Sequence, residues 1–365
     1  MMNMMKIKLY ILLGVVMIGL SACQSDEPLI NLDEALVTLN AQVEDQADTR
    51  TAFVKVNSSL PYPFDVAVWA STTSNNYTVT GYDGTDKEHV GKHVTATFNQ
   101  ASTTLPGPSN SGIRYPITDG VTPTYPTVYF TGLYPSTGWA TTTGTSAVYN
   151  STTGITGKED LMYAPEVFGN GNVETAAPTL TFYHLLTYLR FKFVAVSTDA
   201  QIAWGKITSI KLIKQENGNS SPKNLVDLTL GTTDPTISNV TLSSNVTELP
   251  LYIKRENTIF PSENYTIPTV ATEEAYILCS PVNASNASNY YEYTLKIETE
   301  KRNTTNTNSV LLGVDLKGSS GSLFSGSTMG KMFTVTLTFT LNSIAASASI
   351  TQWDTAGIGK EDVSE

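Results

Sequence analysis

Across 365 residues the chain sets 22 Lys and Arg against 33 Asp and Glu, a formal charge of −11 that argues against nucleic acid or an anionic membrane surface as partner. Only 15% of the residues are charged, while Thr, Ser, Asn, Gly and Tyr are abundant, which is the composition of an extracellular β-protein rather than a cytosolic enzyme. Two cysteines make no disulfide framework, so a packed core must hold the fold unaided.

The first 23 residues read as processing signals. Lys6 and Lys8 lie in a start without acids, Leu9 to Gly19 is almost wholly apolar, and Leu20-Ser21-Ala22-Cys23 follows. A basic start, a short apolar stretch and small residues at a cut site describe a secretory signal peptide, residues 1–22. The apolar run is too short to span a bilayer as a stable helix. Because the cut site ends in a cysteine, it resembles the bacterial lipobox, in which that residue, here Cys23, is acylated and becomes the mature N-terminus. The polar segment from Gln24 to Pro28 reads as a flexible tether.

Further on, Ala35, Val37, Leu39, Ala41 and Val43 alternate with mostly polar residues, the period of a half-buried strand. Asp48-Thr49-Arg50-Thr51 ends it, and Phe53, Val54 and Val56 begin another. Phe64 to Trp69, Tyr77 to Thr80, His93 to Phe98 and Tyr125 to Pro135 are strand-like. Leu105 to Gly112 is loop, and the Thr/Gly/Ser tract from Thr141 to Thr156 reads as a long exposed loop. Around Glu174 to Pro178 the pattern resets, and a boundary is placed there. Leu180 to Ala195 follows, with Leu189, Phe191 and Phe193 on one face and Arg190 and Lys192 on the other. Its segment His184-Leu-Leu-Thr-Tyr188 is compatible with a short helical turn. Strands are then expected at Ile207 to Ile213, Leu225 to Leu230, Val240 to Leu242, Glu248 to Ile253, Ala275 to Cys279, Tyr290 to Ile297 and Phe333 to Leu341. A last apolar row is Ile344, Ala346, Ala348 and Ile350, before Trp353. No amphipathic helix is evident. Many short strands separated by Gly/Pro turns predict an all-β chain of β-sandwiches.

Taken together, the lipobox, Thr49-Arg50-Thr51, Leu161-Met-Tyr-Ala-Pro165, Phe182-Tyr-His184-Leu-Leu-Thr-Tyr-Leu-Arg-Phe191 and the strand closing on Ile350-Thr-Gln-Trp353 resemble the fimbrillin-like proteins of Bacteroidales. These are subunits of the type V pilus. The resemblance implies two tandem β-sandwich domains of transthyretin-like, Greek-key type, at residues 51–178 and 179–365, after a lipidated tether and removable first strand at residues 23–50. It implies an outer-membrane precursor anchored through Cys23 and cut between Arg50 and Thr51 by an Arg-specific protease. Assembly with other pilus subunits would then use a C-terminal donor strand carrying Ile344, Ala346, Ala348 and Ile350, in a fimbria serving adhesion. The last two strands both remain open as the donor, and any host receptor or glycan is unspecified.

Catalytic and metal patterns are weak. His89 and His93 have the spacing of half a zinc site, but only a helix would bring both rings together, and the flanks read as loop and strand. Gly326 to Lys331 has three residues between its glycines, then Met332, which breaks the phosphate-loop pattern. His184 reads as a structural residue bonding a turn near the domain interface. The pairs Asp33-Glu34 and Glu159-Asp160 read as solvated charge. Cys279 reads as a small buried hydrophobe. Asp354-Thr-Ala356 matches a short bacterial O-glycosylation pattern. Trp69, Tyr129, Tyr134, Trp139, Tyr290 and Tyr291 would suit either a core or a sugar site. No cofactor, metal or enzyme activity is expected. The competing class is a surface glycan-binding outer-membrane lipoprotein, which has no reason to discard a first strand at Arg50.

If Cys23 is the lipid acceptor, Cys23→Ser should lose labelling by palmitate, because an alcohol cannot replace the thiol. Equal labelling of the two proteins would contradict the lipobox reading.

Overall fold

In the computed structural model of the chain the described residues are 37–47, 50–55, 64–77, 94–98, 102–104, 115, 125–141, 145–150, 152–172, 176–215, 220–231, 240–253, 258–284, 292–301, 310–317 and 323–351. Expectations for the signal segment, Cys23, Asp33, Glu34, Ala35, His89, His93, the loop at 105–112, Tyr290, Tyr291, Trp353 and the Asp354 pattern lie outside them.

Alternation becomes strand almost wherever it occurs. The N-terminal half supplies β1 (Thr38–Ala47), β2 (Arg50–Lys55), β3 (Phe64–Ser71), β4 (Val94–Phe98), β5 (Ser102–Thr104), β6 (Val128–Tyr134), β7 (Trp139–Thr141), β8 (Ser146–Tyr149), β9 (Met162–Gly169) and β10 (Thr179–His184). Eight of them form one sheet in the order β2-β1-β10-β9-β6-β3-β4, with β5 also on β1. The two faces of this sheet serve different cores, as the period of two requires. On β3, Val66 and Val68 enter a core with Phe98, Phe130 and Phe182, while Ala67 and Trp69 enter another with Leu133 and Tyr163. Tyr77 is buried but lies outside any strand.

The second half follows with β11 (Thr187–Ala195), α1 (Thr198–Trp204), β12 (Ile207–Gln215), β13 (Lys223–Thr229), β14 (Val240–Asn245), β15 (Leu249–Pro250), β16 (Tyr252–Ile253), β17 (Thr272–Cys279), β18 (Asn283–Ala284), β19 (Tyr293–Thr299), β20 (Val310–Val314), β21 (Gly326–Ser327), β22 (Met332–Phe339) and β23 (Ile344–Thr351). A five-stranded sheet, β16-β17-β11-β22-β23, and a four-stranded one, β15-β12-β19-β20, share a single core. In it Leu189, Phe191 and Phe193 of the first meet Ile210, Leu212 and Leu295 of the second. Phe193 stacks on Phe260 with ring centroids 5.0 Å apart and planes 7° from parallel. Arg190 and Lys192 take the other face of β11, and Arg190 pairs with Glu273.

Three sequence expectations are corrected. The Thr/Gly/Ser tract from 141 to 156 is not a long exposed loop: β7 and β8 form a hairpin whose Ala147, Val148 and Tyr149 are buried, as is Ile155. Their threonine- and serine-rich surroundings hid a short apolar strand. His184 to Tyr188 makes no helical turn. β10 ends, buried Leu185 and Leu186 carry the chain across, and β11 begins in the next sheet. A helix was missed at α1, where Ser197 Oγ accepts from the amide of Ala200 at 3.1 Å and Gly205 caps the C-terminal end with a positive φ. Only Ala200 and Trp204 of that helix are buried, too few for periodicity to show.

Strand pairing crosses residue 178 in two places. β10, just after it, pairs with β1 and β9, and β8 pairs with β13 to make a sheet in the order β14-β13-β8-β7. That sheet packs on the middle core, which also takes Tyr188, Leu278 and Met332 from the five-stranded sheet. Phe193→Ala should cost about 3–5 kcal/mol of unfolding free energy in denaturant titration, the usual loss for a buried aromatic. A cost below about 1 kcal/mol would contradict this packing.

Candidate functional site

The first strand occupies an interior slot of its sheet, one place in from the edge. Along one side β1 runs parallel to β10, with Asn40, Ala41, Gln42 and Val43 opposite Thr179, Leu180, Thr181 and Phe182. Its other side is shared by two antiparallel partners. β5 takes Thr38 to Asn40, and β2 takes Gln42 to Ala47. Thus β2 and β5 reach the rest of the sheet through β1. Asn40 donates from its backbone to Pro178 O at 2.9 Å and from Nδ2 to Ala177 O at 3.1 Å, and Gln42 Nε2 donates to Thr181 Oγ1 at 2.9 Å.

The expected apolar row points inward. Val37, Leu39, Ala41 and Val43 are each no more than 3% exposed, packed in the core that holds Phe64, Phe130, Leu180 and Phe182. Burying the three larger side chains contributes about 1.5–3 kcal/mol each. Arg50 stands opposite Ala47, with residues 48–49 between them, so the Arg50–Thr51 bond sits at the closed end of the β1–β2 hairpin. Hairpin ends are preferred sites of proteolytic nicking. A cut there would part all of β1 from the chain while leaving Thr51 and the rest of β2 with the body. β10 would then present unpaired backbone groups beside an apolar trough, a template for another strand.

At the other end of the chain β23 is an edge strand. Its ladder to β22 runs from Phe339 opposite Ile344 to Met332 opposite Thr351. Ile344, Ala348 and Ile350 are buried and Ala346 is half-buried against the same core, while Ala345, Ser347 and Ser349 are exposed. β22 differs sharply. It lies between β11 and β23, and its Phe333, Val335, Leu337 and Phe339 have no exposed surface. The inner row of β23 resembles the row on β1 in having branched residues at its ends, though its interior is two alanines where β1 has Leu39 and Ala41.

The remaining candidates are structural. His184 is buried and donates from Nδ1 to Asp160 Oδ1 at 3.0 Å, at the point where the chain leaves β10 for β11. Glu159 accepts from the amide of Thr156 at 2.8 Å and from its hydroxyl at 2.7 Å, holding that turn closed. These two acids therefore order a turn and a strand junction, a correction to their reading as solvated charge. Thr328, inside the phosphate-loop lookalike, is buried beside Thr187, and β22 follows. Burial pushes the Cys279 thiol up to about 12, so it is a poor nucleophile. Trp69 and Trp139 lie in the middle core. Among the described residues no group of three or more His, Cys, Asp or Glu is arranged to hold a metal ion.

No family model matches the sequence, and no curated protein is significantly similar to it. Solved structures do share the fold. Two are each described as a "putative cell adhesion protein". The one from Bacteroides uniformis ATCC 8492 is 15% identical, with 88% of this chain and 100% of that chain covered and a TM-score of 0.50. The one from Bacteroides ovatus ATCC 8483 is 14% identical, with 88% and 98% covered and a TM-score of 0.50. A fimbrial protein from Bacteroides vulgatus ATCC 8482 aligns at 14% identity over 87% of this chain and 99% of that chain, with a TM-score of 0.42.

Proposed function

We propose that the chain is the precursor of a structural subunit of a surface adhesion fibre, built by exchange of strands between copies or close relatives. The observation that carries the reading is the placement of β1. The first strand fills an interior position of the sheet, and Arg50 opens the next strand, so that a single cut after it would release all of β1. The sequence signals fit the same scheme, with Cys23 as the outer-membrane lipid anchor and an Arg-specific protease releasing anchor and strand together. Structures named for cell adhesion share the fold, in keeping with a surface role.

Of the last two strands, β23 is the better donor. Withdrawing β22 would strip four fully buried side chains and two ladders from the C-terminal core, whereas β23 leaves by giving up one ladder, the hydrogen bond from Ile350 N–H to Lys317 O and the smaller row Ile344, Ala348 and Ile350. Its row Ile344, Ala346, Ala348 and Ile350 would take the places of Val37, Leu39, Ala41 and Val43 in the next subunit. The larger side chains recover about 1.5–3 kcal/mol each, with the backbone ladder added, against the entropy of association. Such a contact is heterologous and does not close on itself, so it propagates a fibre.

Protein starting at Thr51 should form ladders resistant to mild denaturant, and the same protein without residues 343–365 should stay monomeric. Equal polymerisation of the truncated form would rule out the C-terminal donor.

A further inference from the structure

The end of the C-terminal sandwich from which β23 departs carries apolar side chains in the open. β11 finishes there at Ala195, its parallel neighbour β22 finishes at Phe339, β17 starts at Thr272 and β23 starts at Ile344. α1 crosses the same end, since Trp204 Nε1 donates to Thr340 O at 2.5 Å and Gln201 Nε2 donates to Ile267 O at 2.5 Å. Val196, Ile202, Val270 and Leu341 belong to these segments, and each is more than half exposed. The buried face of α1 is spent on Ala200 and Trp204, so Ile202 looks away from the core. A group of four such side chains at one pole is more than scattered surface apolarity and marks a contact.

Chain connectivity says what meets it. Only Asn342 and Ser343 lie between Leu341 and Ile344, and three Cα steps reach about 10 Å at full extension. Wherever β23 inserts, the mouth of the receiving groove must lie within that distance of Leu341. A strand entering in the direction of β1 begins at the Val37 end of the slot, beside the start of β10. Because β9 runs antiparallel to β10, its last residues lie at this same end. There Phe168 is 70% exposed, its ring 6.3 Å from that of Tyr129.

We infer that the pole formed by Val196, Ile202, Val270 and Leu341 is a second subunit contact, docking on the Phe168 end of the next copy's N-terminal sheet once β23 has entered its groove. This rests on the strand-exchange reading above. The contact would fix the angle between successive subunits, which a strand on a two-residue tether leaves loose, and would add apolar burial outside the groove.

The test separates groove from pole. Full-length precursor is cut with an arginine-specific protease as wild type, as the Ile202→Asp/Val270→Asp double variant and as Phe168→Asp. Each is given a synthetic peptide of residues 343–353, which can fill the groove but carries no pole. All three proteins should bind the peptide equally, which also shows that the variants are folded. Without peptide, ladder formation should slow at least tenfold in either variant. Wild-type ladder rates in both variants would overturn the pole contact while leaving strand exchange standing. Failure of the peptide to bind cut wild-type protein would overturn both.

Discussion

The N-terminal sheet and the core on one of its faces turn on one parallel pairing, that of β1 with β10. The row Val37, Leu39, Ala41 and Val43 closes a core to which most of the sheet contributes, and the same strand ties β2 and β5 to the body. An ordinary domain would make such a strand permanent. In the proposed scheme the chain would reach it from a lipid anchor at Cys23, and it leaves through a hairpin whose far arm opens with Arg50 and Thr51. Stability of the uncut protein and reactivity of the cut one thus come from the same few side chains. While β1 is in place the trough is filled, and without it the trough is an apolar cleft with an open sheet edge.

In the same proposal the C-terminal half would supply the replacement from its edge strand β23. An edge strand with alanine and serine over most of its length contributes modestly to the core it leaves, while Ile344 and Ile350 at its ends retain enough apolar bulk to anchor it elsewhere. The fully buried aromatic and branched row on β22 remains behind and keeps the sandwich together.

Much of this was legible before any coordinates. Period-two alternation gave β1, β11 and β23 with their inward rows and β22 as a strand, because each has one buried face and one polar or half-exposed face. The row on β1 and the lone Arg50 after it could be seen as a unit from their order alone. What failed to show were elements whose burial depends on distant partners. β8 is a short strand inside a threonine-rich tract, and it is buried because β13 and the middle core cover it. α1 has only seven residues, shorter than periodicity can resolve, and its caps Ser197 and Gly205 emerge only from the structure. The exposed pole was invisible because exposure is a tertiary property: Ile202 and Leu341 read like any other apolar residues.

Amide hydrogen exchange of residues 179–184 tests the central claim most directly, because β10 owes one of its two ladders to β1, the strand proposed to leave. In the uncut precursor these amides should exchange slowly, immediately after cleavage at Arg50 they should exchange fast, and in assembled material they should be slow again. Protection that stays unchanged from precursor through cleavage to assembly would contradict the exchange of strands at this site.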